Sequence, residues 1–115
     1  MDKVVFPKMI TDLPEADIPD KETKGYILQG IDRQVVFLDT YPLAETHSPE
    51  HSHGEQWGIV VEGEVEFSIN GVKKVYKKGD TYHIPEGAPH SGTIKAHVAH
   101  IEFFGFNRFK PKAKK

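Results

Sequence analysis

The stretch EVEFSINGVKKVYK, residues 64–77, decides the fold class because it reads as two strands joined by a tight turn. Its first six residues alternate polar and apolar side chains, which is the two-residue period of a half-buried strand. Asn70-Gly71 follows, and this dipeptide is a strong hairpin signal because a type I′ turn needs a positive φ at both central residues. We therefore predict an antiparallel hairpin at this point of the chain.

The same β character extends over the rest of the sequence. Ten Val and nine Ile stand against only four Leu, and there are seven Phe and four Tyr. Such residues suit a pleated surface, whereas a helical bundle would be rich in Leu and Ala. Ten Gly and eight Pro supply turns. We expect about eight or nine short strands and therefore an all-β sandwich or barrel.

The 115 residues fit one domain with a segment on either side of it. Residues 1–25 are rich in Pro and charge, which predicts an irregular N-terminal arm with one short helical turn. Residues 26–106 form the predicted barrel domain. Residues 107–115 are a basic C-terminal tail, which the charge pattern predicts to be solvated. The predicted apolar interior consists of Val36, Leu38, Ile59, Val61, Val65, Phe67, Ile69, Ile84 and Ile101.

Charge and composition argue against several classes of protein. The 15 basic and 17 acidic residues give a net charge of −2, which does not suit a general nucleic-acid binder. Without cysteine there is neither a disulfide framework nor a thiolate metal site. No apolar run has the length of a membrane span, and the N-terminus lacks the apolar region of a signal peptide. We expect a soluble, cytoplasmic protein with no nucleic-acid or membrane partner.

Seven histidines are many for this length, and the placement of two of them is informative. His51 and His53 are two residues apart, so on a strand both side chains would point to the same face. Imidazole is the commonest metal ligand in proteins, and two on one face can bind one ion. Such a pair also occurs in exposed loops, and the polar residues 48–50 beside it allow that reading.

Two longer segments favour the metal site. Residues 79–90 read GDTYHIPEGAPH, which resembles the second motif of the cupin superfamily, G-x5-P-x-G-x2-H. Residues 51–63 read HSHGEQWGIVVEG and are similar to the first cupin motif, in which HxH is followed by an acidic or amide residue and later by Gly. With the surrounding strands, the resemblance covers residues 26–106. It implies a single-domain double-stranded β-helix, a jelly-roll-type barrel, with a metal at its centre.

The resemblance implies four metal ligands, which are His51, His53, Gln56 and His90. Gln56 stands at the family's spacing before the Gly that closes the first motif, but it follows His53 by one residue fewer than is usual. We infer a one-residue deletion near position 54, where glycine can absorb it. Glu55 is the competing ligand, because strand alternation lets only one of the two neighbours point inward.

Oxygen and nitrogen ligands without sulfur suit one divalent transition metal ion, and Fe, Mn, Ni, Co and Zn all remain open. If the third ligand is the neutral amide of Gln56, the ion keeps its full charge of about +2. A site of this charge is a strong Lewis acid that suits an anionic or hydroxyl-bearing substrate.

Two classes of function follow from the resemblance. One is a metal-dependent enzyme of isomerase, lyase or oxygenase type, acting on a small oxygenated molecule such as a sugar acid or keto-enol compound. Uronate-processing cupins resemble this chain in carrying an amide ligand after HxH. The other is a non-catalytic protein that binds or senses a sugar or small acid. The sequence does not identify catalytic residues.

Further expectations concern the barrel mouth and the assembly. Seven residues could line the mouth, although packing or solvent exposure is the commoner role for each of them: Tyr41, Trp57, Tyr82, His83, His97, His100 and Glu102. Single-domain cupins commonly pair, so the resemblance implies a homodimer. The N-terminal arm and the strand edges are its natural contacts.

Overall fold

The structure is a computed structural model that describes residues 5–113, and parts of the predicted arm and tail, residues 1–4 and 114–115, lie outside the described range. Within it, one short helix precedes nine strands. The elements are α1 (Lys8–Thr11), β1 (Thr23–Gln29), β2 (Gln34–Thr40), β3 (Thr46–His47), β4 (Gln56–Glu62), β5 (Glu64–Ile69), β6 (Val72–Lys77), β7 (Thr81–Ile84), β8 (His90–Ile94) and β9 (Val98–Phe104). No helix among these residues has the length and apolar character needed to cross a bilayer.

The strands form two antiparallel sheets that face each other. One sheet has five strands in the order β1-β2-β9-β4-β7, and the other has four in the order β3-β8-β5-β6. Buried side chains from both sheets meet in one core cluster, for example Val60 and Val98 from the first sheet and Val65 from the second. The predicted all-β sandwich is therefore confirmed.

The hairpin predicted for residues 64–77 is present between β5 and β6. Asn70 has a φ of 51° and Gly71 a φ of 80°, as the predicted type I′ turn requires. The ladder runs from Glu64 opposite Lys77 to Ile69 opposite Val72 without a shift of register.

The predicted interior is right for most of its residues. Val36, Leu38, Val65 and Ile84 are buried. Other members of the set, Phe67 and Ile69, are partly buried and pack against the main core cluster. The apolar residues of these strands therefore hold the two sheets together as expected.

The register of β4 and β9 corrects the prediction. Ile59, Val61 and Ile101 are only half-buried, because the faces of these strands are reversed from the expectation. The buried residues of β4 and β9 that face the interior are Gln56, Gly58, Val60, Val98, His100, Glu102 and Phe104. The interior at this place holds polar groups, so the apolar neighbours point outward instead.

The segment after β9 also differs from the expected solvated tail. Backbone hydrogen bonds join Asp17 to Lys110 and Lys112 to Glu15, at 2.7 Å each. The ring of Phe109 packs on that of Phe104, with centroids 5.8 Å apart. Apolar contacts and strand-like pairing with the N-terminal arm thus hold residues 109–112 against the barrel.

Candidate metal centre

Three of the predicted ligands meet at one end of the barrel. The backbones of His51 and His90 exchange two hydrogen bonds, of 2.9 and 2.8 Å, which fix the loop after β3 to the first residue of β8. His53 follows on the same loop, and its ring centroid is 4.6 Å from that of His90. One ring nitrogen from each of the three residues lies within 4.8 Å of the others.

The hydrogen bonds of these imidazoles determine which nitrogen is free. Each Nδ1–H donates to a backbone carbonyl: His51 to Pro49 at 2.9 Å, His53 to Gly54 at 2.7 Å, and His90 to Ala88 at 2.9 Å. A carbonyl can only accept, so each Nε2 carries a lone pair in the neutral ring. The Nε2 atoms of His53 and His90 are 3.1 Å apart. Lone pairs that converge in this way can bind one cation, and we call these three imidazoles the imidazole cage. In metal sites the Nδ1–H of a ligating histidine usually donates to a backbone carbonyl or a carboxylate.

The two candidates for the third ligand position point in opposite directions. Gln56 is 3% exposed, its Nε2 donates to Glu102, and its Oε1 is buried without a hydrogen-bond partner. Glu55 points outward, where its carboxylate lies 2.7 Å from His83. A buried amide oxygen without a partner is costly unless something binds it. The residues present therefore fit a metal ion, with Gln56 on the wall of the cavity that His51 and His90 also line.

A buried polar chain adjoins this centre on the inner face of the five-stranded sheet. The hydroxyl of Tyr82 donates to Glu102 Oε2 at 2.7 Å and lies 2.8 Å from His100 Nδ1. Burial, and then the negative charge of Glu102, raise the pKa of Tyr82 well above its ordinary value, so the phenol keeps its proton. His100 Nδ1–H therefore donates a hydrogen bond to the Tyr82 hydroxyl, which in turn donates one to Glu102 Oε2.

A cavity of about 210 Å³ connects the centre with this polar chain. His51, His90, Gln56, Glu102 and Arg108 all contribute to its wall. The guanidinium of Arg108 stacks over the rings of two phenylalanines at 5.2 and 5.0 Å. Burial lowers the pKa of Arg108, while the charge of Glu102 acts in the opposite direction. Arginine stays protonated under ordinary conditions, so the cavity has a fixed positive charge on one side.

The family follows from comparison with known proteins. A family model described as "Cupin domain" matches residues 37–100, which is more than half of the chain. The protein belongs to the cupin family. No curated protein matches this cupin significantly.

Solved structures share the fold of this cupin. An RmlC-like cupin from Shewanella frigidimarina is 23% identical, with a TM-score of 0.71 over 84% of this chain and 87% of that one. KdgF from Halomonas sp. is 18% identical, with a TM-score of 0.68 over 92% and 96% of the two chains. The cupin domain of Schizosaccharomyces pombe Cnp3 is 16% identical, with a TM-score of 0.64 over 76% and 67%. At these identities the likeness shows the architecture alone.

The other residues predicted at the barrel mouth of this cupin lie in three places. Tyr82, His100 and Glu102 belong to the buried chain described above, whereas Trp57 and His83 line a groove on the outer face of the five-stranded sheet. Tyr41 and His97 are near the opposite end of the barrel. Their rings stack at 4.0 Å, and His97 Nε2 is 2.6 Å from Asp39.

Arg108 was not predicted as a site residue, because it lies in the segment predicted to be solvated. The signal that could have found it is the pattern FNRF at residues 106–109. Aromatic residues on both sides of a cation favour a buried, stacked guanidinium over a frayed end.

The stability of the metal-free cupin should depend on pH through these imidazoles. Burial is the largest cause that lowers the pKa of His53 and of His90. The unfolded chain therefore binds more protons than the native one between the lowered pKa and the ordinary value of about 6.5. We expect the melting temperature of chelator-treated protein to fall as the pH drops through this window. His53→Ala should flatten the dependence, and a wild-type melting temperature that is constant there would contradict the prediction.

Proposed function

We propose that this cupin is a metal-dependent enzyme that acts on a small oxygenated molecule, such as a sugar acid or keto-enol compound, by isomerase, lyase or oxygenase chemistry. The observation that supports this most is the convergence of three imidazoles, two of which, His51 and His90, line the cavity that Glu102 and Arg108 also line. A metal cage, a buried carboxylate and a fixed cation around one cavity provide the groups for proton transfer on an anionic substrate.

In this proposal the metal ligands are His51, His53, Gln56 and His90, and the ion is one divalent transition metal, Fe, Mn, Ni, Co or Zn. When bound, such an ion polarises a carbonyl or hydroxyl oxygen and makes a neighbouring proton more acidic. The orphaned Gln56 Oε1 supports the amide as the fourth ligand, whereas the outward direction of Glu55 speaks against it.

Glu102 is the residue we expect to move the proton. Among residues 5–113 it is the one buried carboxylate, at 3% exposure. Its Oε2 already accepts hydrogen bonds from Gln56 and Tyr82, which hold the carboxyl group in one orientation. Tyr82 and His100 position Glu102 from the side away from the metal centre.

Arg108 supports an acid as the substrate. Among residues 5–113 its guanidinium makes no ion pair, although it lines the cavity and lies over the rings of Phe104 and Phe109. A guanidinium in such a place binds a carboxylate in a two-pronged geometry. A substrate carboxylate on Arg108 would direct the rest of a small molecule toward the three imidazoles.

A substrate panel with one pair of matched variants tests the proposal. Metal-loaded protein is assayed for turnover and for binding with uronates, keto acids and diols. Glu102→Gln should lower kcat by about 10²- to 10⁴-fold while ligand binding persists, because a general base is lost. Glu55→Gln makes the same change on the outer face and should leave kcat unchanged.

Two results of this experiment would contradict the proposal, one its enzymatic activity and the other the role of Glu102. Tight binding of a panel compound without turnover would instead indicate the second candidate function, a non-catalytic cupin that senses a sugar or small acid in the same cavity. Turnover that is equal in Glu102→Gln and wild type would remove Glu102 from the mechanism.

We further propose that the cupin works in the cytoplasm as a homodimer, with a small-molecule ligand and without nucleic-acid or membrane partners. The support for the dimer is the apolar outer face of the five-stranded sheet, which carries several exposed large side chains.

A further inference from the structure

Residues 106–109, which follow the last strand and include Arg108, make no hydrogen bond to another main-chain group within the described range 5–113. Backbone hydrogen bonds of 2.9 and 2.7 Å hold the residues on either side of them, Gly105 and Lys110. The segment is therefore fixed by the main chain only at its two ends. Main-chain groups away from water are nearly always paired, so the middle of the segment needs partners from side chains.

The side chain of Gln34 supplies these partners. Gln34 is the first residue of β2 and is 3% exposed. Its Oε1 accepts hydrogen bonds from the backbone N–H groups of Arg108 and Phe109, at 3.0 and 3.1 Å, and its Nε2 donates to the Phe109 carbonyl at 2.7 Å. We call these three hydrogen bonds the Gln34 clamp. The amide takes the place that a neighbouring strand would have beside these two residues.

A second glutamine completes the contact. Gln34 Nε2 also donates to Gln29 Oε1 at 2.8 Å, and Gln29 Nε2 donates to Asn107 Oδ1 at 2.6 Å. A side-chain amide has two donor hydrogens and two acceptor lone pairs, so the hydrogen-bonding capacity of Gln34 is fully used. Gln29 and Gln34 are opposite each other at the end of the β1–β2 ladder. The end of this hairpin therefore holds residues 107–109 together.

The Gln34 clamp acts on the surroundings of the Arg108 guanidinium as well as on its main chain. The guanidinium lies over the rings of Phe104 and Phe109. Phe104 is opposite Gln34 in the β2–β9 ladder, and the clamp holds Phe109 by both its N–H and its carbonyl. Arg108 lines the cavity beside the imidazole cage, whereas Gln34 does not. Gln34 can therefore affect a ligand in the cavity only through Arg108 and its neighbours.

We propose that Gln34 is a positioning residue that holds Arg108 in place for a carboxylate and thereby sets the preference of the site for acids. This inference rests on the acid substrate in the function proposed above. A guanidinium that is already held in position loses less conformational freedom when a ligand binds, so its contact with a carboxylate contributes more to affinity. A neutral ligand does not form that charged contact, and its affinity does not depend on the clamp.

Calorimetric titration of the metal-loaded protein with glucuronate, and with its neutral amide glucuronamide, tests this role. Wild type should bind the acid more tightly. Gln34→Met keeps the length of the side chain but removes its hydrogen bonds, and it should weaken glucuronate binding by about tenfold while the Kd of glucuronamide stays unchanged. Thr40→Val is the matched control, because it removes a buried hydrogen bond to Thr23 at the other end of β2. It should leave both dissociation constants unchanged.

A second measurement follows Arg108 without any ligand. The chain has two arginines, Arg33 and Arg108, so the Nε–Hε region of a nitrogen-15 NMR spectrum contains two signals. Arg33 is exposed, whereas the two phenylalanine rings shift the signal of Arg108. In zinc-loaded Gln34→Met the Arg108 signal should move toward the position of an exposed arginine. Thr40→Val should leave it in place.

A surface variant keeps the test decisive if Gln34→Met does not fold. Gln29 is exposed, and Gln29→Ala removes the hydrogen bonds to Gln34 and Asn107, so glucuronate binding should weaken by about threefold. A preference for glucuronate that survives in both glutamine variants, or one that is lost equally in Thr40→Val, would overturn the positioning role and leave the proposed function standing. A wild-type protein that binds the two ligands equally, or binds neither, would instead overturn the acid substrate and this role with it.

Discussion

Replacement of His90 by alanine should nearly abolish metal binding by this cupin. His90 supplies the most buried of the three imidazoles and holds the His51 loop by its backbone. Loss of a group that merely orients a ligand lowers metal affinity by about 10- to 100-fold, so loss of the ligand itself should cost more than about 100-fold. At metal concentrations near 100 times the wild-type Kd, the variant would lack about 2.7 kcal/mol of stabilisation, equal to a melting-temperature difference on the order of 10 °C.

Elemental analysis and thermal melts with and without metal measure this effect. Gln56→Ala should also lower metal content, since it removes the orphaned Oε1, whereas Glu55→Ala should retain wild-type content because its side chain points outward. An equal loss in Glu55→Ala would mean that the assignment of the third ligand is wrong. Metal content in His90→Ala at the wild-type level would exclude the imidazole cage as the site.

Gly58→Ala should strongly destabilise the barrel. A Cβ at position 58 would overlap the phenol ring and hydroxyl of Tyr82. That ring cannot move aside easily, because it is 3% exposed and its centroid lies 4.7 Å from the Phe67 ring and 5.3 Å from the Tyr76 ring. Overpacking costs about 1–3 kcal/mol, and a displaced Tyr82 would leave Glu102 with a lost hydrogen bond that costs about 1–3 kcal/mol more.

Urea denaturation of the metal-free protein checks this expectation, with Gly105→Ala as the control. A Cβ at position 105 meets nothing closer than the Glu55 Cβ at 3.6 Å, so this variant should unfold near the wild-type midpoint. If both variants unfold at the same urea concentration, the close approach of β4 to Tyr82 does not constrain the barrel.

The parts of the fold that the sequence predicted are those with strong local signals. Asn70-Gly71 fixes a hairpin because its backbone geometry is available to few other dipeptides. The alternation in residues 64–69 likewise showed which side chains face the core. The two His-containing motifs predicted that residues far apart in sequence would meet, and His51, His53 and His90 lie together in the structure.

The side chains of β4 that face the interior could not be predicted, because this strand lacks a strong local signal. The run WGIVV at residues 57–61 has no polar residue that would show its alternation. Its inner face is also the less apolar one, with Gln56 and Gly58, because it borders the polar cavity. Polar residues of the site face inward here, against the rule that apolar side chains do so. The apolar pattern therefore predicts the wrong inner face at the site.

Local sequence patterns also could not predict that Arg108 lines the cavity. The five positive charges of the last eight residues predict solvation. The aromatic residues beside Arg108 and the pairing of Lys112 with Glu15 at 2.6 Å oppose it, and these long-range contacts decide the outcome.

Arg108, which we propose as the contact for a substrate carboxylate, follows the last strand and lies outside both sheets. The imidazole cage depends on the loop after β3 and on β8, whereas the facing wall of the cavity depends on a short stretch outside both sheets. Substitutions in that stretch can change which molecule is admitted without altering the ladders or the cage. A change of ligand preference therefore needs no change in the backbone that positions the imidazoles.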